Sequence, residues 1–322
     1  MRHYFARRLG VLVMTVVAAV AIAHVFLHTT VEGYRLTTAI RGTPAYLFDG
    51  FVRGDFGATF GGGCRPRGGV VIADPVKPCA SYPAGEIADL LRHRVPIDLQ
   101  LLLGGVLLGT LAGVWGGRRC AMRPRSYSAR VLHVAIAFLL ACPPYFLAYM
   151  ILIWFADGSG TMLQLPFVSG VTDYAAFSEN PLRFLKAMWV PWVLCALPLA
   201  AYVARLTENT LSEALQEDYV RTARAKGLTA GRIANRHALP VVTPAIAAMT
   251  GVNISTLLIN VAVIEYGFGI PGLFSAIHAA SRTGDVPVMM GLVIEGVLLI
   301  TIANFIADAV QQMLDPKVRM QA

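Results

Sequence analysis

A chain of 322 residues that is 56% hydrophobic and only 14% charged departs from soluble domains, which run near a quarter charged. Its net charge of +8 comes with no basic-aromatic module and no zinc spacing, which argues against nucleic-acid binding. The same excess of Lys and Arg is what the cytoplasmic loops of an integral membrane protein carry.

A bilayer core takes about 20 apolar residues in helix. Six segments reach that length: roughly Leu9 to Thr29, Ile97 to Gly117, Val131 to Phe155, Met188 to Leu206, Val241 to Ile264 and Val288 to Gln311. The first follows a basic start, MRHYFARRLG, as a secretory signal would. Its apolar run is longer than a signal's, and His24 and His28 stand where small cleavage-site residues belong, so it reads as a retained anchor. Those two histidines, four apart, are expected at the outer interface, with little to recommend them as metal ligands.

Residues 30–95 are Gly- and Pro-rich and read as loop. Cys64 and Cys79 lie in this stretch. If it faces an oxidising exterior, a disulfide between them would contribute roughly 3 kcal/mol by loop closure. Cys142 and Cys195 lie in or near apolar runs and read as small buried hydrophobes, and Cys120 is isolated. Span three contains Pro143 and Pro144, and span four contains Pro191 and Pro198. Such prolines kink membrane helices, whether for gating or for bending alone.

Loop charge sets orientation. Arg2, Arg7 and Arg8 precede span one, and Arg118, Arg119, Arg123, Arg125 and Arg130 follow span two. Arg221, Arg224, Lys226, Arg232 and Arg236 follow span four, and Lys317 and Arg319 follow span six. The intervening loops carry only Arg183, Lys186 and Arg282. Both termini and the 118–130 and 207–239 loops are therefore expected in the cytoplasm.

Within the 207–239 loop, EDYVRTARAKGL places Glu217, Asp218, Arg221, Arg224 and Lys226 between two apolar spans. The composition favours helix, with Glu217 and Arg221 correctly ordered for an i,i+4 pair. Gly227 is expected to stop it, Thr229 to cap a second short helix, and Pro240 to end that helix and open span five. The helix is poor in Trp, Phe and Leu. That argues against a segment lying on lipid, and small residues at Ala223 and Gly227 suit a protein partner.

The run DYVRTARAKGL…HALP resembles the signature loop of the inner-membrane permeases of binding-protein-dependent ABC importers. That pattern is Glu-Ala-Ala, three residues, Gly, nine residues, then Ile-x-Leu-Pro. Ala223, Gly227, Leu239 and Pro240 match in register, while Arg221, Thr222 and His237 depart as the peptide/nickel branch usually does. HYFARRLGVLV, FVRGDFGATF, RHRVPIDLQLLL, ACPPYFLAYMIL, VIEYGFGIPGL and NFIADAVQQMLDPKVR resemble the same branch. The usual Pro-Gly-Asp-Pro after span one is absent, and the cysteine-bearing insert is unusual.

The resemblance implies an all-α membrane protein with six transmembrane helices in the type I ABC importer permease fold. Its parts would be residues 1–29 (cytoplasmic amino terminus and first span), the outer segment 30–95, a five-helix core 96–311 with the coupling loop 207–240, and the tail 312–322. The chain would form half a pore in the plasma or inner membrane beside a second homologous permease. Two cytoplasmic ATPase subunits would hold ATP and Mg²⁺, with no cofactor bound by this chain, and an extracytoplasmic binding protein would deliver substrate. ATPase coupling is implied for Asp218, Tyr219, Arg221, Ala223, Arg224, Lys226, Gly227, Leu228, Leu239 and Pro240, with Leu228 as an apolar plug. The cargo is expected to be di- or oligopeptides, with nickel chelates or oligosaccharides as alternatives.

No G-x-x-x-x-G-K-[ST], G-x-S-x-G or H-E-x-x-H occurs, so neither ATP hydrolysis nor intramembrane hydrolysis is expected of the chain itself. A secondary transporter or channel is the rival class, and it leaves the signature loop unexplained. Glu295 and Asp308 are ionisable groups within span six and hence candidates by default. Glu295 is expected either to meet a cationic substrate group or to partner a neighbouring helix, and Asn304 with Asp308 to pack. Glu265, Phe268 and Ile270 are expected near an outer gate.

Overall fold

The computed structural model describes residues 2–53, 58–59, 85–155, 174–276, 280–281 and 284–314. Cys64 and Cys79 lie outside these residues. The long helices are α1 (Arg2–Thr30), α3 (Ile87–Met122), α6 (Pro181–Ala214), α9 (Leu239–Phe268) and α10 (Val286–Leu314). Between them lie α2 (Leu36–Phe48), α4 (Tyr127–Ala141), α5 (Pro144–Phe155), α7 (Asp218–Ala225) and α8 (Ala230–Ile233). Two-residue strands β1 (Ala58–Thr59) and β2 (Gly85–Glu86) pair antiparallel. Among the described residues, five helical stretches are long and apolar enough to cross a membrane, and the bent pair α4–α5 supplies a sixth span if it counts as one.

The chain divides into two compact units. One comprises residues 1–99 and 270–302. In it Val16, Val20 and Leu27, on one stripe of α1, pack against Val286, Met290 and Ile294 of α10. The segment expected as loop holds α2 instead. Its Ala39 and Thr43, one turn apart, are buried, and Thr43 Oγ1 meets His24 Nδ1 at 3.1 Å. Two small residues suffice for a helix to lie close against another, although they leave little apolar signal. His24 is buried between Thr43 and the Tyr46 ring, and the His28 ring nitrogen pairs with Glu32.

Span two also begins earlier than expected, at Ile87 rather than Ile97, and runs through Pro96. Ile87, Leu90, Leu91 and Val95 recur at helical spacing and pack against Leu273, Ala276, Val288 and Leu292. That burial outweighs the hydrogen bond the proline cannot make.

The second unit comprises residues 100–269 and 303–322. Gly105, Gly109, Gly113 and Gly117 form a stripe on α3 pressed against α6. A Cβ at Gly105 would lie 2.8 Å from Cys195 Cβ, at Gly109 2.9 Å from the Ala196 carbonyl, at Gly113 2.6 Å from Val203 Cβ, and at Gly117 2.7 Å from Thr207 Cβ. Both partners rise in number together, so the helices run parallel. Trp192 Nε1 donates to the Gln100 carbonyl at 3.0 Å within the same pairing.

Pro143–Pro144 does more than kink span three. Cys142, forced to extended backbone by the proline that follows it (ψ 122°), ends α4, and α5 leaves at 101° to it. Pro191 and Pro198, by contrast, lie inside an α6 that continues past both. Cys195 and Cys120 are buried, and Cys142 is half-buried.

Candidate functional site

α7 is amphipathic over eight residues. Val220 and Ala223 point inward and pack with Ile233 of α8, half-buried Leu215 and half-buried Leu228. Asp218, Tyr219, Arg221, Arg224 and Lys226 are exposed. The helix begins with Asp218 in its first turn and ends with Arg224 in its last, both favourable to its dipole. Glu217 occupies the N-cap without capping through its side chain, and Arg221 pairs with Asp218 at 3.2 Å rather than with Glu217. That pair is exposed on both sides and adds little stability. Burial, then the Glu217 carboxylate, raises the Tyr219 hydroxyl above its ordinary range.

The stop is a Schellman motif. Gly227 adopts φ +79°, its N–H bonds the Arg224 carbonyl at 2.9 Å, and the Leu228 N–H bonds the Ala223 carbonyl at 3.3 Å. The motif brings its following residue back onto the helix, where Leu228 packs, half-buried, against the α7–α8 core. A Cβ on Gly227 would meet nothing within 4 Å, so its backbone angle, not crowding, requires glycine.

Thr229 occupies the N-cap of α8 without a side-chain bond. Pro240 does not end that helix: a π turn over Ala234–Ala238 carries it straight into α9. The wider turn lies just ahead of a residue that has no N–H to offer and whose ring would crowd the carbonyl four back. Leu239 is half-buried and Pro240 exposed. A cavity of about 510 Å³ opens between the α7–α8 hairpin and the ends of α3 and α6, with Met122, Pro124, Leu215, Arg221, Arg224 and Ile233 on its wall.

A second cluster, in the first unit, was only half visible in sequence. Glu295 of α10 is buried, and the charged group acting on it is Asp98 of α3, itself fully buried. Asp98 accepts the Leu273 N–H with both carboxylate oxygens, at 2.8 and 3.1 Å, and Arg94 donates to the Gly272 carbonyl at 3.1 Å. The start of α3 thus grips the turn at 270–273. Ile270, in this unit, is buried, as are Glu265 and Phe268 at the end of α9 in the other. Asp98 was overlooked, although an acid in an apolar run is itself the signal.

A third group joins three helices of the second unit. His133 Nε2 of α4 meets Glu208 Oε1 of α6 at 2.6 Å, with the buried Cys120 of α3 beside them. The three lie on separate helices, so no local spacing announces them.

The family model described as binding-protein-dependent transport system inner membrane component matches residues 105–320. The dipeptide transport system permease protein DppB of Bacillus subtilis (strain 168) is 26% identical over 257 residues, covering 78% of this chain and 76% of that protein. The oligopeptide transport system permease protein OppB of Mycobacterium tuberculosis is 25% identical over 280 residues, covering 84% and 77%. Among solved structures, the MetNI methionine ABC transporter in inward-facing conformations aligns with a TM-score of 0.51 at 17% identity, over 70% of this chain and 96% of that one.

Proposed function

This chain belongs to the binding-protein-dependent transport system inner membrane components, and on that footing we propose that it imports di- or oligopeptides as one half of an ATP-driven pore. A second, homologous permease completes the pore. Two cytoplasmic ATPase subunits hold ATP and Mg²⁺, and an extracytoplasmic binding protein hands over the peptide. Both termini and the 207–240 loop face the cytoplasm. The cargo class rests on the relatives, which are named as dipeptide and oligopeptide permeases.

The observation that carries the coupling role is the construction of α7–α8. Its apolar residues are spent on its own small core, while Asp218, Tyr219, Arg221, Arg224 and Lys226 all face outward. A helix so arranged offers a charged, rigid surface to a polar groove, which is what an ATPase subunit would grip. The continuous passage from α8 through the π turn into α9 gives movement of that surface a stiff path into the membrane, past Leu239 and Pro240. Glu265 and Phe268 of the second unit, and Ile270 and the Asp98–Glu295 pair of the first, are the groups we assign to gating.

Gly227→Asp tests the reading, because it sets a side chain and a negative charge on the exposed end of the hairpin at φ +79°, where a Cβ meets nothing within the described residues. Peptide uptake in the co-expressed complex should fall to background while the variant still inserts and reaches normal levels. Normal uptake would contradict the coupling role. The Cys64–Cys79 disulfide belongs to the same proposal. Intact mass before and after reduction, with alkylation, checks it, and two thiols alkylated without reductant would exclude it.

A further inference from the structure

The coupling role leaves one basic surface unused. Between α3 and α4, within a single unit, runs a groove of about 530 Å³ whose walls are almost wholly apolar. Trp115 and Val131 form its sides, and both are more than half or about half exposed, at 61% and 50%. Arg118, Arg119 and Ser128 line its end, with Tyr127 at the rim. Arg119 Nε donates to Ser128 Oγ at 3.1 Å, which fixes one guanidinium beside a hydroxyl. Arg118 Nε is buried with no hydrogen-bond partner among the described residues.

Charge and depth say what such a groove would hold. From Trp115 to Leu132 the chain carries Arg118, Arg119, Arg123, Arg125 and Arg130 and not one acidic residue. Glu208 on α6 is engaged by His133. Trp115 lies two turns from the end of α3, and Tyr127 is the first residue of α4. That is the level at which Trp and Tyr mark the boundary between acyl chains and headgroups. A ligand here must be apolar along its length and anionic at the end that reaches the arginines.

We infer that this groove is a binding site for an anionic phospholipid, its phosphate held by Arg118, Arg119 and Ser128 and an acyl chain lying along Trp115 and Val131. The volume falls in the range of small-molecule sites, and basic pockets between membrane helices commonly hold such headgroups. The inference needs only that the chain is embedded in a membrane, and it stands whatever the cargo.

The test uses the purified, delipidated transporter complex, with native mass spectrometry of lipid retained from equal amounts of phosphatidylglycerol and phosphatidylcholine. The complex should prefer phosphatidylglycerol, and the double variant R118Q/R119Q should lose roughly tenfold of that preference. R232Q/R236Q, equally basic in origin but away from the groove, should keep it. Val131→Trp fills the groove with both arginines intact and should also lose the preference. It decides the matter if the arginine variant fails to fold. No preference in the parent complex, or a preference that survives Val131→Trp, overturns the inference.

Discussion

At Gly227 a single backbone angle carries the end of α7. Because a Cβ there meets nothing, Gly227→Ala should cost only the left-handed penalty, about 1–2 kcal/mol. Asn, which tolerates that region, should cost less. Hydrogen exchange of residues 218–233 should show the hairpin opening more in the Ala variant than in the Asn variant, with the rest of the chain unchanged. The glycine was legible as a stop in sequence, and the fate of Leu228 was not. The Schellman bond from the Leu228 N–H to the Ala223 carbonyl, with the packing of Leu228 against Val220, Ala223 and Ile233, shows it lying against the hairpin. Asp98 poses the opposite case, a side chain whose work is done on distant backbone. Asp98→Ala removes the acceptor from a buried N–H and should destabilise by about 1–3 kcal/mol, whereas Asp98→Asn keeps an oxygen for Leu273 and should lose less. Thermal unfolding in detergent, comparing the two, checks this. An Ala variant as stable as the parent would mean that Leu273 finds another acceptor.

Helices rather than residues explain the departures from expectation. The start of α3 and the whole of α2 were hidden by composition. Residues 87–95 mix Asp89, Arg92, His93 and Arg94 with apolar residues, yet Ile87, Leu90, Leu91 and Val95 keep a helical period, and that period governs packing. The α3–α6 contact has a sequence signal that went unread, Gly105, Gly109, Gly113 and Gly117 at every fourth position, the spacing by which membrane helices approach closely. Lipid supplies no hydrophobic drive between helices, so this contact depends on shape. Gly113→Val should force α3 from α6, at a cost of about 1–3 kcal/mol. Gly116→Ala, whose new Cβ would lie 3.8 Å from Ala204 Cβ, should be nearly neutral. Thermal unfolding of the two variants side by side distinguishes a shaped interface from a general intolerance of larger residues in this helix. The break at Pro143–Pro144 could be read in sequence as a bend. Its 101° could not, because two consecutive prolines fix φ but not the direction taken after Cys142.

That angle decides the topology of the whole chain, since a pair bent so sharply could cross the membrane or turn back within it. The parallel pairing of α3 with α6 settles the choice. α3 ends at Met122 and α6 at Ala214, and Met122, Pro124, Ser212 and Leu215 wall one cavity, so both helices finish at the same end. Two consecutive long helices can run parallel only if the chain between them has returned across the bilayer. α4 and α5 would then make one net crossing together, the sixth candidate span among the described residues. A re-entrant α4–α5 would leave Pro181 on the side where Met122 ends, and α6 would then run against α3. The lysine and arginine distribution agrees, with Arg118–Arg130 and Arg221–Arg236 rich in cations and residues 174–187 carrying only Arg183 and Lys186. Single-cysteine variants of a cysteine-free chain test it in spheroplasts with a membrane-impermeant maleimide. Phe177→Cys, at an exposed position, should label from outside. Arg125→Cys and Gln216→Cys, also exposed, should label only after the membrane is opened. Labelling of positions 125 and 177 from the same side would make α4–α5 re-entrant and would put the 217–240 loop across the membrane from the Arg118–Arg130 loop.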